Sequence, residues 1–201
     1  MERVRGRLWA GCAGAAILTA FPAAAVRAAA PPIAWTLQAV GHRTVTVADL
    51  PATWLLVYFG YTYCPDQCPT ALLEVGDVLR DLGGLAGRVQ PVFVTIDPER
   101  DTPELLAQYV ANFAAPIIPL TGTPEQIEEA ARQLGYHYVR YRDPGLADYS
   151  FDHTSSFFLV DPGRHLVADF ATELTADEIA AGIRDRMATD NDATRAEAGG
   201  P

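Results

Sequence analysis

The residues Thr53–Phe59 (TWLLVYF) form a near-continuous apolar run, and a chain that carries such a run has to build a core around it. At strand length, and ended by Gly60, it suits a central strand buried on both faces. The sequence just beyond it places the next element by chemistry. Proline disfavours helical dihedrals in the residue before it and is at home at the first helical position, so a helix is expected to start at Pro69. Cys68 then sits just ahead of the helix, and Cys64–Cys68 is its feeding loop. Leu72, Val75, Leu79 and Leu82 recur at helical spacing until Gly83-Gly84 ends the element.

Around this unit strands and helices alternate. Ile33–Val40 and Arg43–Val47, separated by Gly41-His42, predict an N-terminal β-hairpin. Val89–Ile96 is a strand, and Thr102–Phe113 a helix that Thr102 caps, Pro103 starts and Glu104 favours at the positive end of its dipole. Pro116–Leu120 is a short strand, Thr123-Pro124-Glu125 opens a helix through Leu134, and Tyr136–Tyr141 is a further strand. After a polar loop, Arg142–Ser150, the segments Ser155–Val160 and His165–Phe170 flank the turn Asp161-Pro162-Gly163-Arg164 as a hairpin. Thr175 caps a last helix to about Met187, and the polar tail 189–201 is expected to be disordered. This order is that of a thioredoxin-like α/β sandwich, with a loop inserted before the last hairpin.

With 201 residues, 49% of them apolar, the chain can bury one good core, so 31–188 reads as one domain between two tails. Arg3, Arg5 and Arg7 precede Leu8–Val26, a stretch free of charge, and small residues follow at Ala28–Ala30. Residues 1–30 therefore read as an export signal or as an N-terminal membrane anchor, the run being close to the roughly 20 residues that a span needs. Export implies the periplasm, with attachment to the inner membrane if the segment is retained. All 15 basic residues are Arg, and the formal charge of −10 becomes −13 for residues 31–201 once the +3 of residues 1–30 is removed. A body so acidic, with no basic patch, is not a nucleic-acid binder.

Cys12 falls in the leader, which leaves Cys64 and Cys68 as the two thiols of the exported body. A bridge between them closes so short a loop that it removes little chain entropy, so the pair reads as chemistry rather than as a staple. At a helix N-terminus the dipole and unpaired N–H groups favour thiolate, the form that binds metal and attacks disulfides. The spacing alone leaves both uses open. His42, His137 and His165 read as turn or strand residues, whereas His153 precedes the hairpin strand expected beside the central one, where a loop faces the cysteines. Two thiolates and one imidazole suit copper, with Cys2His zinc as the competitor. Asp152 is placed to orient His153 or simply to end a strand. A peroxidase is disfavoured, because Thr62 lies two residues before Cys64 and not three.

The run Phe59-Gly60-Tyr61-Thr62-Tyr63-Cys64-Pro65-Asp66-Gln67-Cys68-Pro69 resembles the F-G-[FY]-T-x-C-P-D-x-C-P signature of Sco/SenC copper proteins. Asp97-Pro98-Glu99-Arg100-Asp101-Thr102-Pro103 is similar to the family's D-P-x-R-D-T-P segment, and Asp152-His153-Thr154 to its D-H-[ST] segment. The resemblance implies a thioredoxin fold and copper held by Cys64, Cys68 and His153. It implies a role as a metallochaperone, not a turnover enzyme, that serves the binuclear copper centre of cytochrome c oxidase. Its partners would be the oxidase copper subunit, a thiol reductant and another copper chaperone. The alternative is a thiol–disulfide oxidoreductase working through a reversible Cys64–Cys68 disulfide. Asp97 matches an acidic residue that the family keeps near the site, and Tyr63 departs from the His of many members.

Overall fold

The structure, a computed structural model, describes residues 31–51, 53–142 and 149–198. The expected leader or anchor, 1–30, lies outside the described residues, as does most of the expected polar loop, 143–148. The chain opens with β1 (Thr36–Ala39) and β2 (Arg43–Thr46), an antiparallel pair, as the N-terminal hairpin expectation required. Then follow β3 (Trp54–Gly60), α1 (Gln67–Leu82), β4 (Val89–Thr95), α2 (Pro103–Val110), β5 (Ile118–Leu120) and α3 (Pro124–Leu134). The last part runs β6 (Tyr138–Arg142), β7 (Tyr149–His153), β8 (Ser156–Val160), β9 (Leu166–Ala171) and α4 (Ala176–Ala198).

The central sheet has the order β5-β4-β3-β8-β9. Strands β3, β4 and β5 are parallel, while β8 runs antiparallel to β3 and β9 antiparallel to β8. This is the thioredoxin-like α/β arrangement that the order of elements predicts. Every residue of β3 is buried, with Leu55, Val57 and Phe59 fully so, as a strand with neighbours on both edges and helices over the sheet requires. Each such side chain contributes about 1.5–3 kcal/mol of hydrophobic stabilisation. The caps lie where the sequence put them: the Thr102 hydroxyl accepts from the Leu105 N–H, and Thr123 and Gln126 form a reciprocal capping box.

Several element boundaries differ from expectation, most of all in the helices. Helix α1 begins at Gln67, so Cys68 and Pro69 lie inside its first turn. Proline costs nothing there, because the first N–H groups of a helix have no intrahelical acceptor to lose. Helix α2 ends at Val110 and not at Phe113. Helix α4 continues to Ala198, through the segment expected to be a disordered tail, because no Gly or Pro interrupts the chain between Ala188 and Ala198. The polar loop is also shorter than expected: Arg142 ends β6, and Tyr149 and Ser150 open β7. Strands β6 and β7 form a two-stranded ribbon separate from the central sheet.

Gly60 does more than end the apolar run, for it is the last residue of β3 and pairs with Thr95. A Cβ at this position would come within 2.8 Å of the Cys68 sulfur and 2.9 Å of the Phe93 ring. The missing side chain is the space in which Cys68 sits. Gly60→Ala should therefore destabilise the domain by about 1–3 kcal/mol through overpacking, read as a lower denaturation midpoint. A variant as stable as the parent would show that Cys68 is not held by this contact.

Candidate metal centre

The two cysteines reach the site from the turn between β3 and α1. Cys64 closes that turn through its N–H to the Tyr61 carbonyl (3.3 Å). Cys68, one turn further on and wholly buried, donates its own N–H to the Cys64 sulfur at 3.3 Å. That N–H is one of the donors a helix start leaves without a backbone acceptor, so the fold spends it on a sulfur. Both thiols are unbridged, and the Tyr58 hydroxyl lies 4.0 Å from the Cys68 sulfur.

The turn is tied down by Asp101, a fully buried residue that sequence reasoning missed. Its carboxylate accepts the Thr62 N–H (3.0 Å), the Thr62 hydroxyl, and the Thr95 hydroxyl (2.6 Å). Burial pushes the Asp101 carboxyl upward in pKa, and these hydrogen bonds oppose the shift. The available signal was a carboxylate directly before the helix-capping Thr102 that is not itself needed for the cap.

His153 is the last residue of β7, paired with Tyr138, and so comes from a strand end and not from the loop that the sequence suggested. Its Nδ1 lies 2.9 Å from the Thr154 carbonyl oxygen. A carbonyl only accepts, so Nδ1 carries the proton and Nε2 is left for the cysteines. The two sulfurs and the imidazole nitrogen lie within 4.8 Å of one another. Three ligands around a single ion at 2.0–2.3 Å would stand about 4 Å apart, so the group needs only a small closure. Among the described residues it is the one cluster of at least three His, Cys, Asp or Glu placed to share an ion.

The electrostatics are uneven. The Cys64 thiol is lowered to about 4, first by its contact with Cys68 and then by His153 and the N–H groups of Cys68 and Asp66, with burial opposing. Cys68 is pushed up by its contact with Cys64 and by burial. His153 is raised, chiefly by Cys64. The pair is thus split, with Cys64 the far more acidic thiol and Cys68 the less acidic one. A groove of about 690 Å³ opens onto Cys64 and His153, with Tyr61, Asp66, Tyr141 and Asp152 among its walls, while Cys68 lies beneath it.

The remaining expected residues are not among the three clustered donors. Asp97 is buried, with one carboxylate oxygen on Arg100 and the other accepting the Tyr149 hydroxyl at 2.7 Å. Asp152 is exposed on the groove wall. His42 follows the Gly41 turn, His165 faces Asp161 at 3.3 Å, and His137 is exposed, its backbone paired with Thr154. Tyr63 is exposed and packs beneath the Arg100 guanidinium, 4.8 Å from its ring centre.

The SCO1/SenC family model matches residues 27–188. The chain is 36% identical to the mitochondrial SCO2 homolog of Bos taurus over 143 residues, which is 70% of this chain and 54% of that protein. It thus spans about half the length of the curated relatives it matches. Among solved structures, Arabidopsis thaliana ScoI with copper bound superposes with a TM-score of 0.73 at 30% identity, covering 80% of this chain and 99% of that one. Bradyrhizobium japonicum ScoI with copper bound gives 0.67 at 33% identity, covering 78% and 99%. A family model that takes in nearly the whole folded body, together with relatives a third identical that share the fold, makes this chain a member of the SCO1/SenC family.

Proposed function

We propose that this protein is an exported copper-binding assembly factor that carries copper on Cys64, Cys68 and His153 to the binuclear centre of cytochrome c oxidase. The observation that carries this reading is the convergence of three donors within 4.8 Å at an open groove. The donor set fits the cargo, since soft sulfur selects Cu(I) and an imidazole helps to retain Cu(II). The copper in the Arabidopsis and Bradyrhizobium relatives supports it. Delivery needs tight binding together with easy release. With only three protein donors, two of them facing the groove, an incoming thiolate of the oxidase copper subunit can replace them one at a time. Residues 1–30 would direct export to the periplasm, by a cleaved signal or a retained inner-membrane anchor, and 31–188 would be the working domain. Among the described residues no helix is long and apolar enough to cross a membrane. Another copper chaperone would load the site and a thiol reductant would keep it open.

A second reading, thiol–disulfide exchange, is favoured by the unequal cysteines. Cys64 is held as thiolate at the groove, and Cys68 waits beneath as a thiol. Cys64 would attack a partner disulfide, Cys68 would resolve the mixed disulfide, and the chain would leave oxidised for a thiol reductant to restore. Both readings use the two cysteines, but only copper carriage needs His153 as a ligand.

Metal-free, reduced protein should take up about one copper per chain, with a sulfur-to-copper charge-transfer band in the Cu(II) form. His153→Ala should lower Cu(II) affinity by about 100-fold or more, beyond what loss of a residue merely supporting a ligand costs, while thiol exchange survives. Colourless protein that keeps stoichiometric zinc would sink the copper reading. A His153→Ala protein with full Cu(II) affinity and full oxidase support, beside a failing Cys64→Ala, would establish thiol–disulfide exchange in its place.

The cysteines make a separate prediction. Because the folded Cys64 value lies below that of an ordinary thiol, its thiolate stabilises the fold above the unfolded value of about 8.5 and that contribution is lost as pH falls through about 4. Alkylation of reduced, metal-free protein should hit Cys64 before Cys68, and its rate should fall off around pH 4. A rate that falls off near the ordinary thiol value would show that Cys64 is not held as thiolate.

A further inference from the structure

We propose that Tyr149 is the positioning residue of His153: held between the Arg100 and Arg140 guanidiniums and hydrogen-bonded to Asp97, it sets the register at which the β6–β7 ribbon presents the imidazole to Cys64 and Cys68. The inference rests on the copper reading only for what His153 does, not for how it is held.

The ribbon is a separate sheet of two short strands, and such a pair has little stability of its own. The position of His153 must then come from how the ribbon docks on the rest of the domain. Side chains of a strand alternate, so Tyr149, Phe151 and His153 share one face of β7. Each of the three meets a different part of the domain beneath. The Tyr149 hydroxyl donates to Asp97 Oδ1 at 2.7 Å, and its carbonyl accepts Arg100 Nη1 at 3.2 Å. Phe151 packs edge-on against Tyr61, ring centres 5.1 Å apart, and His153 joins the cysteines. Because the side-chain period is two, a slip of one residue would turn Tyr149 away from Asp97 and His153 away from Cys64 together.

Charge makes this end of the ribbon specific. The Arg100 guanidinium carbon stands 3.8 Å from the Tyr149 ring centre and that of Arg140 3.5 Å, so one ring separates two cations. Each cation has its own carboxylate: Arg100 Nε donates to Asp97, and Arg140 Nη1 donates to Glu99 at 2.9 Å. Asp97, Glu99 and Arg100 lie in the segment just after β4, whereas Arg140 and Tyr149 belong to the ribbon, so the cluster joins the two. Asp97 therefore bears on the site through Tyr149 and four residues of β7, its carboxylate being occupied by Arg100 and Tyr149.

The test uses the full chain with Tyr149→Ala, which loses ring and hydroxyl, and Tyr149→Phe, which keeps the ring between the cations. In reduced, metal-free protein at fixed pH, the ring-nitrogen shifts of His153 and the exchange rate of the Thr154 amide read the ribbon position directly. In copper-loaded protein, Cu(II) and Cu(I) affinities and the charge-transfer band read its consequence. Tyr149→Ala should move the His153 signals and weaken Cu(II) binding about tenfold, the cost expected for loss of a residue supporting a ligand, with Cu(I) on the two sulfurs changed far less. Tyr149→Phe, which loses only the hydrogen bond to Asp97, should show the same changes in smaller degree. Unmoved His153 signals in Tyr149→Ala, or equal losses for Cu(I) and Cu(II), would overturn the proposal. If Tyr149→Ala unfolds the whole domain, Arg140→Gln at a half-exposed ribbon position replaces it, and His153 signals unmoved there would overturn it equally. If the parent binds no Cu(II), the copper reading falls, and the metal-free signals still decide the role of Tyr149.

Discussion

Strand β3 is enclosed by β4 on one edge and β8 on the other, and the chemistry of the molecule depends on how that strand ends. All its residues are buried, and the two cysteines emerge beyond its carboxyl end, where the chain turns into α1. There Gly60 leaves open the space that the Cys68 sulfur fills, and Phe93 of the neighbouring strand closes the other side. The helix start supplies the N–H that stabilises sulfur as thiolate. A buried strand, an absent side chain and an unpaired helix donor together make a sulfur site.

That site is only half built by the β3–α1 turn. Asp101, from beyond β4, holds Thr62 through both backbone and hydroxyl and fixes the turn against its neighbour strand. His153 arrives from a ribbon outside the main sheet, docked through the Tyr61–Phe151 contact and the Asp97–Tyr149 hydrogen bond. The three donors thus sit on separately supported elements, the two sulfurs at the β3–α1 turn and the imidazole on a small appendage. The sulfurs are therefore held by the main sheet and helix, and the imidazole only by how the ribbon docks. The same division leaves two cysteines of unequal acidity that could exchange disulfides without the imidazole, and so one geometry supports both readings.

Sequence by itself determined the parts that rest on neighbours in the chain. The strand at Thr53–Phe59, the caps at Thr102 and Thr123, the α3 span ending at Leu134 and the turn carrying Cys64 were legible, because apolar period, proline and capping hydroxyls act within a few residues. The extension of α4 through Ala198 was not, since the polar composition there points to disorder while the absence of a helix breaker merely permits the helix to run on. What only the tertiary structure decided are the pairings across long stretches of chain. Thr62 meets Asp101 39 positions away, and Asp97 meets Tyr149 52 positions away. From sequence, Asp97 only matches an acidic residue that the family keeps near the site, and folding gave its carboxylate to an arginine and a tyrosine. Local rules fix where a side chain emerges along its own strand or helix; which groups it meets depends on how separate elements pack, and that packing is settled by burial of the whole core rather than by any short stretch of sequence.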